Sequence, residues 1–220
     1  MPLPQTIRSL VPDRVRDHPR ARALALAAGL IPPRPMISAA EADVLTRRAR
    51  GGACVVEIGV YEGSSAILLC RALGPESELH LIDPFVEGGS SLPGGWRAAP
   101  FATRRAIRRF GSGTRGPRIR WHIARSQDVG RAWRGPAVDF VFVDGDHSAE
   151  GCREDWEMWH PHIRPGGAIA FHDARHGRPD GFGSTGVTSV VDTLFRGEHP
   201  VPGWALETEL DGLVVVRRDG

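Results

Sequence analysis

Cys54-Val55-Val56-Glu57-Ile58-Gly59-Val60-Tyr61-Glu62-Gly63-Ser64-Ser65 begins as a short apolar run and ends in glycines and serines. An apolar run of this length beside turn residues reads as a buried strand. Gly59 and Gly63 remove side chains where the backbone must come close to a ligand, and Ser64 and Ser65 open a helix with its N–H groups exposed. That helix covers residues 64–73 and stops at Gly74-Pro75. The stretch is a strand–turn–helix unit, and the same unit recurs along the chain.

Upstream, Ser38-Ala39-Ala40-Glu41 is a capping box that starts a helix running to about residue 50. Downstream, strands are expected at residues 78–83 (ELHLID), 119–124 (IRWHIA), 138–144 (VDFVFVD) and 168–173 (AIAFHD). Helices are expected at 101–110, 128–133, 148–159 and 187–195. The third of these sets Ala149, Cys152, Trp156 and Trp159 at helical spacing. Asp211-Gly212 between two strand-like runs is a hairpin signal. Five β-α units and a hairpin imply an α/β, Rossmann-like, doubly wound fold: a mostly parallel sheet with helices on both faces and an antiparallel C-terminal edge. Residues 37–220 read as that domain. Residues 1–36 read as a basic N-terminal arm with a short helix at 21–31, a candidate surface for packing on a second copy of the chain.

In such sheets ligands bind beyond the carboxyl ends of the strands. The functional candidates are therefore 57–63, Asp83, Arg125-Ser126, 144–147 and His172-Asp173. Two long Gly-rich connections, 86–100 and 174–186, leave the same edge. Trp96 and His176 on them, and the Pro32–Pro35 hinge with Met36, are placed to shape a pocket.

Composition removes several alternatives. The chain has 220 residues, 41% hydrophobic and 25% charged, which is ordinary globular make-up. No apolar run approaches the ~18 residues a membrane span needs, and the first residues do not read as a secretion signal. Cys54, Cys70 and Cys152 are too scattered for a disulfide framework and suit a reducing cytoplasm. All 28 basic residues are arginine, so lysine chemistry is excluded. The net charge of +2 is uneven: residues 1–36 hold six arginines against Asp13 and Asp17, leaving a slightly acidic body. Such a body lacks the basic stripe of a nucleic-acid binder. The arginines at 104, 105, 108 and 109 read as a solvated helix face.

Asp83 ends the second strand 20 residues after Gly63, where an acid accepts hydrogen bonds from ribose hydroxyls. The pattern E-x-G-x-x-x-G differs from the dinucleotide fingerprint, and no phosphate-binding loop with lysine exists. An adenosine-type cofactor is the expectation.

VVEIGVYEGSSA, LHLIDPF, the run from VDFVFVDGDH to AIAFHDA, and GVTSVVDTLF together resemble class I S-adenosylmethionine-dependent methyltransferases. The closer likeness is to bacterial small-molecule O-methyltransferases, including macrolide-sugar enzymes and, distantly, catechol enzymes. The resemblance implies a seven-stranded sheet with the last strand antiparallel. It implies that Glu57, Gly59 and Ser65 surround the methionine portion of the cofactor, that Asp83 holds the ribose, and that Arg125 and Ser126 lie beside the adenine. With Tyr61, Gly63, Ser64 and Asp144 these make the candidate cofactor-binding set.

Asp144 and Asp173 follow adjacent strands, and two carboxylates at one point repel unless a proton or cation lies between them. A divalent cation on Asp144, His172 and Asp173 is one answer. Related metal-dependent enzymes carry an acidic or amide pair where His172 and Asp173 stand, and imidazole favours Mn, Fe, Ni or Zn over Mg. His147 is the candidate general base beside Asp144, because histidine titrates near the working pH; the macrolide-sugar relatives have histidine there. The expected reaction is methyl transfer to a hydroxyl of a small molecule, a sugar or an aromatic natural product. The rivals are a cofactor-binding partner or sensor without catalysis, and a nucleic-acid methyltransferase. Asp144-Gly145-Asp146-His147 stands where a base-amino enzyme of the latter kind has N/D-P-P-Y/F/W.

Overall fold

Runs rich in Val, Ile, Leu and Phe that the pattern marks as strands line up in one seven-stranded sheet, in the order β3-β2-β1-β4-β5-β7-β6. The computed structural model describes residues 18–85, 98–111, 115–175 and 184–220. The strands are β1 (Cys54–Ile58), β2 (Glu78–Ile82), β3 (Arg118–His122), β4 (Val138–Val143), β5 (Ile163–Phe171), β6 (Trp204–Leu210) and β7 (Leu213–Arg218). β1 to β5 are parallel, and β7 runs antiparallel to both β5 and β6. The helices are α1 (Pro19–Ala28), α2 (Ala39–Ala49), α3 (Ser64–Ala72), α4 (Pro100–Phe110), α5 (Ser126–Arg131), α6 (Ala149–Trp159) and α7 (Thr185–Val191). None of the helices among the described residues is long and apolar enough to cross a membrane.

Period-two alternation sends neighbouring strand residues to opposite faces, so both faces carry a core. On one face Val56, Ile58, Val141, Val143, Ile169 and Phe171 pack with Cys152, Trp156 and Trp159 of α6 and Val187, Val190 and Val191 of α7. On the other, Val55, Leu79, Leu81, Phe140 and Phe142 pack with Val44 and Leu45 of α2 and Ile67, Leu69 and Cys70 of α3. Each such side chain, fully buried, stabilises by roughly 1.5–3 kcal/mol. The three cysteines are free and buried. The outer strands are less covered, and Arg118 and Arg120 on β3 protect that edge from pairing.

Three boundaries differ from the pattern reading. β5 begins at Ile163, so Pro165-Gly166-Gly167 lies inside the strand rather than before it. A Cβ on Gly167 would sit 2.9 Å from the Asp139 carbonyl oxygen, and the β4–β5 register shifts between Val138 and Phe140. The glycines accommodate a bulge. α5 starts at Ser126, two residues early, and α7 ends at Val191 in a π-helical turn, Asp192–Arg196. Arg105, Arg108 and Arg109 of α4 are exposed, Arg105 Nε also donating to the Ala27 carbonyl at 3.0 Å, whereas Arg104 is half-buried, 5.0 Å over the Trp121 ring.

Candidate active site

After β1 the chain turns sharply: the Gly63 N–H donates to the Val60 carbonyl at 2.8 Å. Gly59 (φ 85°), Tyr61 (φ 49°) and Gly63 (φ 88°) all have positive φ. The glycines are needed for chain packing as well as conformation. A Cβ on Gly59 would lie 2.0 Å from the Asp144 carbonyl oxygen, and one on Gly63 would lie 2.8 Å from Ile107. Asp83 braces this turn. Its Oδ2 accepts from the Val60 and Tyr61 N–H groups, both at 2.9 Å, and its Oδ1 accepts from Phe85 N–H at 2.7 Å. An ionised carboxylate has about four lone-pair positions, so one is left for a ribose hydroxyl.

Beneath the turn Glu57 is fully buried, and Ser65 at the start of α3 donates to its Oε1. Oε2 has no partner. Burial pushes the carboxyl up to about 8; the Ser65 hydrogen bond opposes this, and the Asp144 and Asp83 charges add to it. Ser64 is half-buried, on the outer side of the helix start. On the expected adenine side Arg125 is exposed and caps α5 in an extended conformation. Ser126 is buried, with its hydroxyl committed to Asp155, and Gln127 Nε2 donates to the same oxygen at 3.1 Å. Asp155 carries no sequence signal beyond a helical position. Burial raises its carboxyl to about 7 against the Ser126 hydrogen bond.

At the carboxyl ends of β4 and β5 four expected residues meet. His172 Nδ1 lies 3.0 Å from Asp144 Oδ1 and 3.7 Å from Asp173 Oδ2. His147 spans the same pair, with Nε2 3.4 Å from Asp144 Oδ1 and Nδ1 3.7 Å from Asp173 Oδ2. Behind His172 stands Glu41 of α2, fully buried, with Oε2 3.7 Å from His172 Nε2. Glu41 also accepts from the Ser38 and Gly212 N–H groups, at 2.7 and 2.8 Å. Burial pushes Asp144 up, but the His172 charge and the hydrogen bonds from both imidazoles outweigh it and hold the carboxyl below its ordinary range. Glu41 is likewise held at about 2, burial being outweighed by His172 and the two backbone donors. The imidazoles respond in kind. Burial lowers both, yet Asp144 and its neighbours raise His147, and raise His172 well above 6.5. Asp173 itself has φ 55°, a strained conformation for a non-glycine residue.

The family described as a methyltransferase domain matches residues 56–174, more than half of the chain, a stretch that holds Glu57, Asp83, Asp144, His147, His172 and Asp173 but not Glu41. The chain belongs to that family. It is an S-adenosylmethionine-dependent methyltransferase with the Rossmann-like fold of the class I enzymes. Solved structures share the fold at low identity. Cofactor-bound Rv0187 from MTB is 21% identical over 100% of both chains, with a TM-score of 0.63. An O-methyltransferase from Bacillus cereus, in complex with SAH, is 18% identical over 98% of this chain and 96% of its own, with a TM-score of 0.61. The O-methyltransferase TomG from Streptomyces achromogenes, involved in tomaymycin synthesis and bound to SAM, is 21% identical over 98% and 95%, with a TM-score of 0.57.

The cradle of the methyltransferase fits the cofactor. A buried carboxyl oxygen with no partner among the described residues, Glu57 Oε2, lies beneath the turn and complements a cationic amino group. The divalent cation fits less well. Among the described residues no group of three His, Cys, Asp or Glu is arranged to hold a metal ion. The expected ligands Asp144, His172 and Asp173 are engaged with one another and with His147, and the two imidazoles stand between the carboxylates where an ion was expected. Trp96, His176 and most of the two Gly-rich connections lie outside the described residues. Glu41 was missed as part of the site because its capping box already accounts for a glutamate at that position.

Proposed function

We propose that this methyltransferase moves the methyl group of S-adenosylmethionine to a hydroxyl oxygen of a small molecule, with His147 as general base. The observation that carries the reading is His147 held between Asp144 and Asp173 at the carboxyl edge of the sheet, beside the Gly59–Gly63 turn. When bound, the cofactor supplies a sulfonium methyl, an electrophile that needs no further activation. Glu57 would receive the amino group of the methionine portion, Asp83 a ribose hydroxyl, and the Arg125-Ser126 backbone the adenine edge. The acceptor oxygen forms its bond to the methyl carbon as the carbon–sulfur bond breaks. The hydroxyl proton passes to the His147 imidazole, and Asp144 and Asp173 stabilise the imidazolium so formed. Asp144 acts through its fixed charge and stays ionised throughout. No step runs through a metal ion.

A small acceptor suits the near-neutral body of the chain, and a natural-product or sugar hydroxyl is the favoured class. Two measurements test the proposal. Calorimetry with S-adenosylhomocysteine is expected to show one site per chain. Incubation with S-adenosylmethionine and a panel of catechols and glycosides is expected to release S-adenosylhomocysteine with at least one member. No uptake of S-adenosylhomocysteine overturns the reading. Binding without turnover on any hydroxylated acceptor favours the sensor alternative.

A further inference from the structure

We propose that Glu62, gripped by Arg22 and Arg34, makes the N-terminal arm a working part of the cofactor site by holding the Gly59–Gly63 turn in its strained shape. Glu62 sits on that turn and is almost fully buried. Arg22 of α1 binds it through a two-pronged fork, Nε to Oε1 at 2.5 Å and Nη2 to Oε2 at 2.6 Å. The Arg34 backbone N–H donates to Oε2 at 2.8 Å, and its Nη1 to Oε1 at 3.2 Å. Four donors fill the four lone-pair positions of the carboxylate. Glu62 therefore has nothing left to offer a ligand, and its role is positioning.

The adjoining residue shows what is being positioned. Tyr61 has φ 49°, a conformation that a side chain adopts only when its surroundings fix it. Asp83 holds its N–H at 2.9 Å, Thr103 of α4 donates to its carbonyl at 2.7 Å, and Arg34 Nη1 donates to its phenol oxygen at 3.0 Å. The arm reaches the turn by a second route as well. Leu26 of α1 packs on Ala102 and Ala106 of α4, the helix that carries Thr103. Arm and turn are thus fastened to each other, and coupling between them is reciprocal: if the docked arm favours the nucleoside, the nucleoside favours the docked arm.

This inference rests on the turn being the S-adenosylmethionine site. The test uses the full chain and S-adenosylhomocysteine as probe. Glu62→Gln and Arg22→Met are expected to weaken binding at least tenfold by calorimetry. Arg22→Lys keeps the charge but not the fork and is expected to fall between. Arg34→Met leaves the Arg22 fork and the backbone bond in place, is the variant most certain to fold, and is expected to weaken binding threefold or more. Saturating probe is expected to slow tryptic cleavage after Arg20 and Arg22 in the wild type, and to lose that protection in Glu62→Gln. A purely structural role would lower the melting temperature without moving probe affinity or probe-dependent protection. Variants that bind within twofold of the wild type, or an arm cleaved equally fast with and without probe, overturn the inference. If the wild type itself takes up no probe, the functional reading falls instead.

Discussion

Glu57 and Asp144 occupy the same end of neighbouring strands, both largely withdrawn from water, and their carboxyl groups are driven in opposite directions. Glu57 has a serine hydroxyl for company and is raised to about 8. Asp144 has two imidazoles within 3.4 Å and is held below its ordinary range. Burial alone does not decide the charge of a carboxylate; the nearest cation does. The first arrangement leaves a buried oxygen waiting for a positively charged partner, as a binding site does. The second is already neutralised from within, and suits a fixed charge that holds a base in place.

The sharpest way to break this contrast is Asp144→Asn. It takes from His172 the nearest of its three carboxylate partners in a buried setting, where losing one partner costs about 3–5 kcal/mol. We expect a fall in melting temperature on the order of 10 °C for a chain of this size, together with loss of turnover; scanning calorimetry and a turnover assay check both. His147→Ala tests the base alone. Turnover should drop roughly 10²–10⁴-fold, while affinity for S-adenosylhomocysteine stays within about threefold. In the wild type kcat/KM should climb with pH through a pKa above 6.5, because the base acts in its neutral form and its acidic neighbours raise it. Asp173→Asn should move that limb to lower pH.

Glu57→Gln probes the other half of the contrast. The folded value of about 8 lies above the unfolded 4.5, so the folded state holds the proton longer. Its contribution is present below pH 4.5 and is lost as pH rises toward 8, at up to ~1.4 kcal/mol per pH unit. The variant should flatten that slope in urea titrations at pH 5 to 8. A slope unchanged by the substitution would show that Glu57 is ionised in the folded chain. The smallest expected effect is that of a chelator. With imidazoles standing between Asp144 and Asp173, turnover should change less than about twofold in excess EDTA; a larger loss, restored by Mg or Mn, would show that the imidazoles give way to an ion.

The sequence reading located the carboxyl-end residues because strand ends are legible from apolar runs, and parallel pairing of β4 with β5 brings Asp144, His172 and Asp173 together. What it did not show is which residues have a second job. Ser126, expected beside the adenine, also turns its hydroxyl inward to Asp155, leaving its backbone for a ligand. Glu41 is a capping residue by pattern and a counter-charge to His172 by packing. Gly59, expected to let the backbone approach a ligand, also lets the chain pass close to the Asp144 backbone. Of the α4 arginines expected on a solvated face, Arg105, Arg108 and Arg109 are exposed, and only Arg104 is drawn in, over the Trp121 ring.

Sequence by itself determined the alternation of strands and helices, the hairpin, and the types of chemistry on offer, since all of these follow from local periodicity and from which side chains exist. The tertiary structure alone decided which charges cancel. Whether Glu57 meets a cation or only a serine, whether His172 faces one carboxylate or three, and whether Arg22 reaches Glu62 across 40 residues depend on separations of a few ångströms between distant segments. Electrostatic energy in a poorly screened interior varies steeply over such distances.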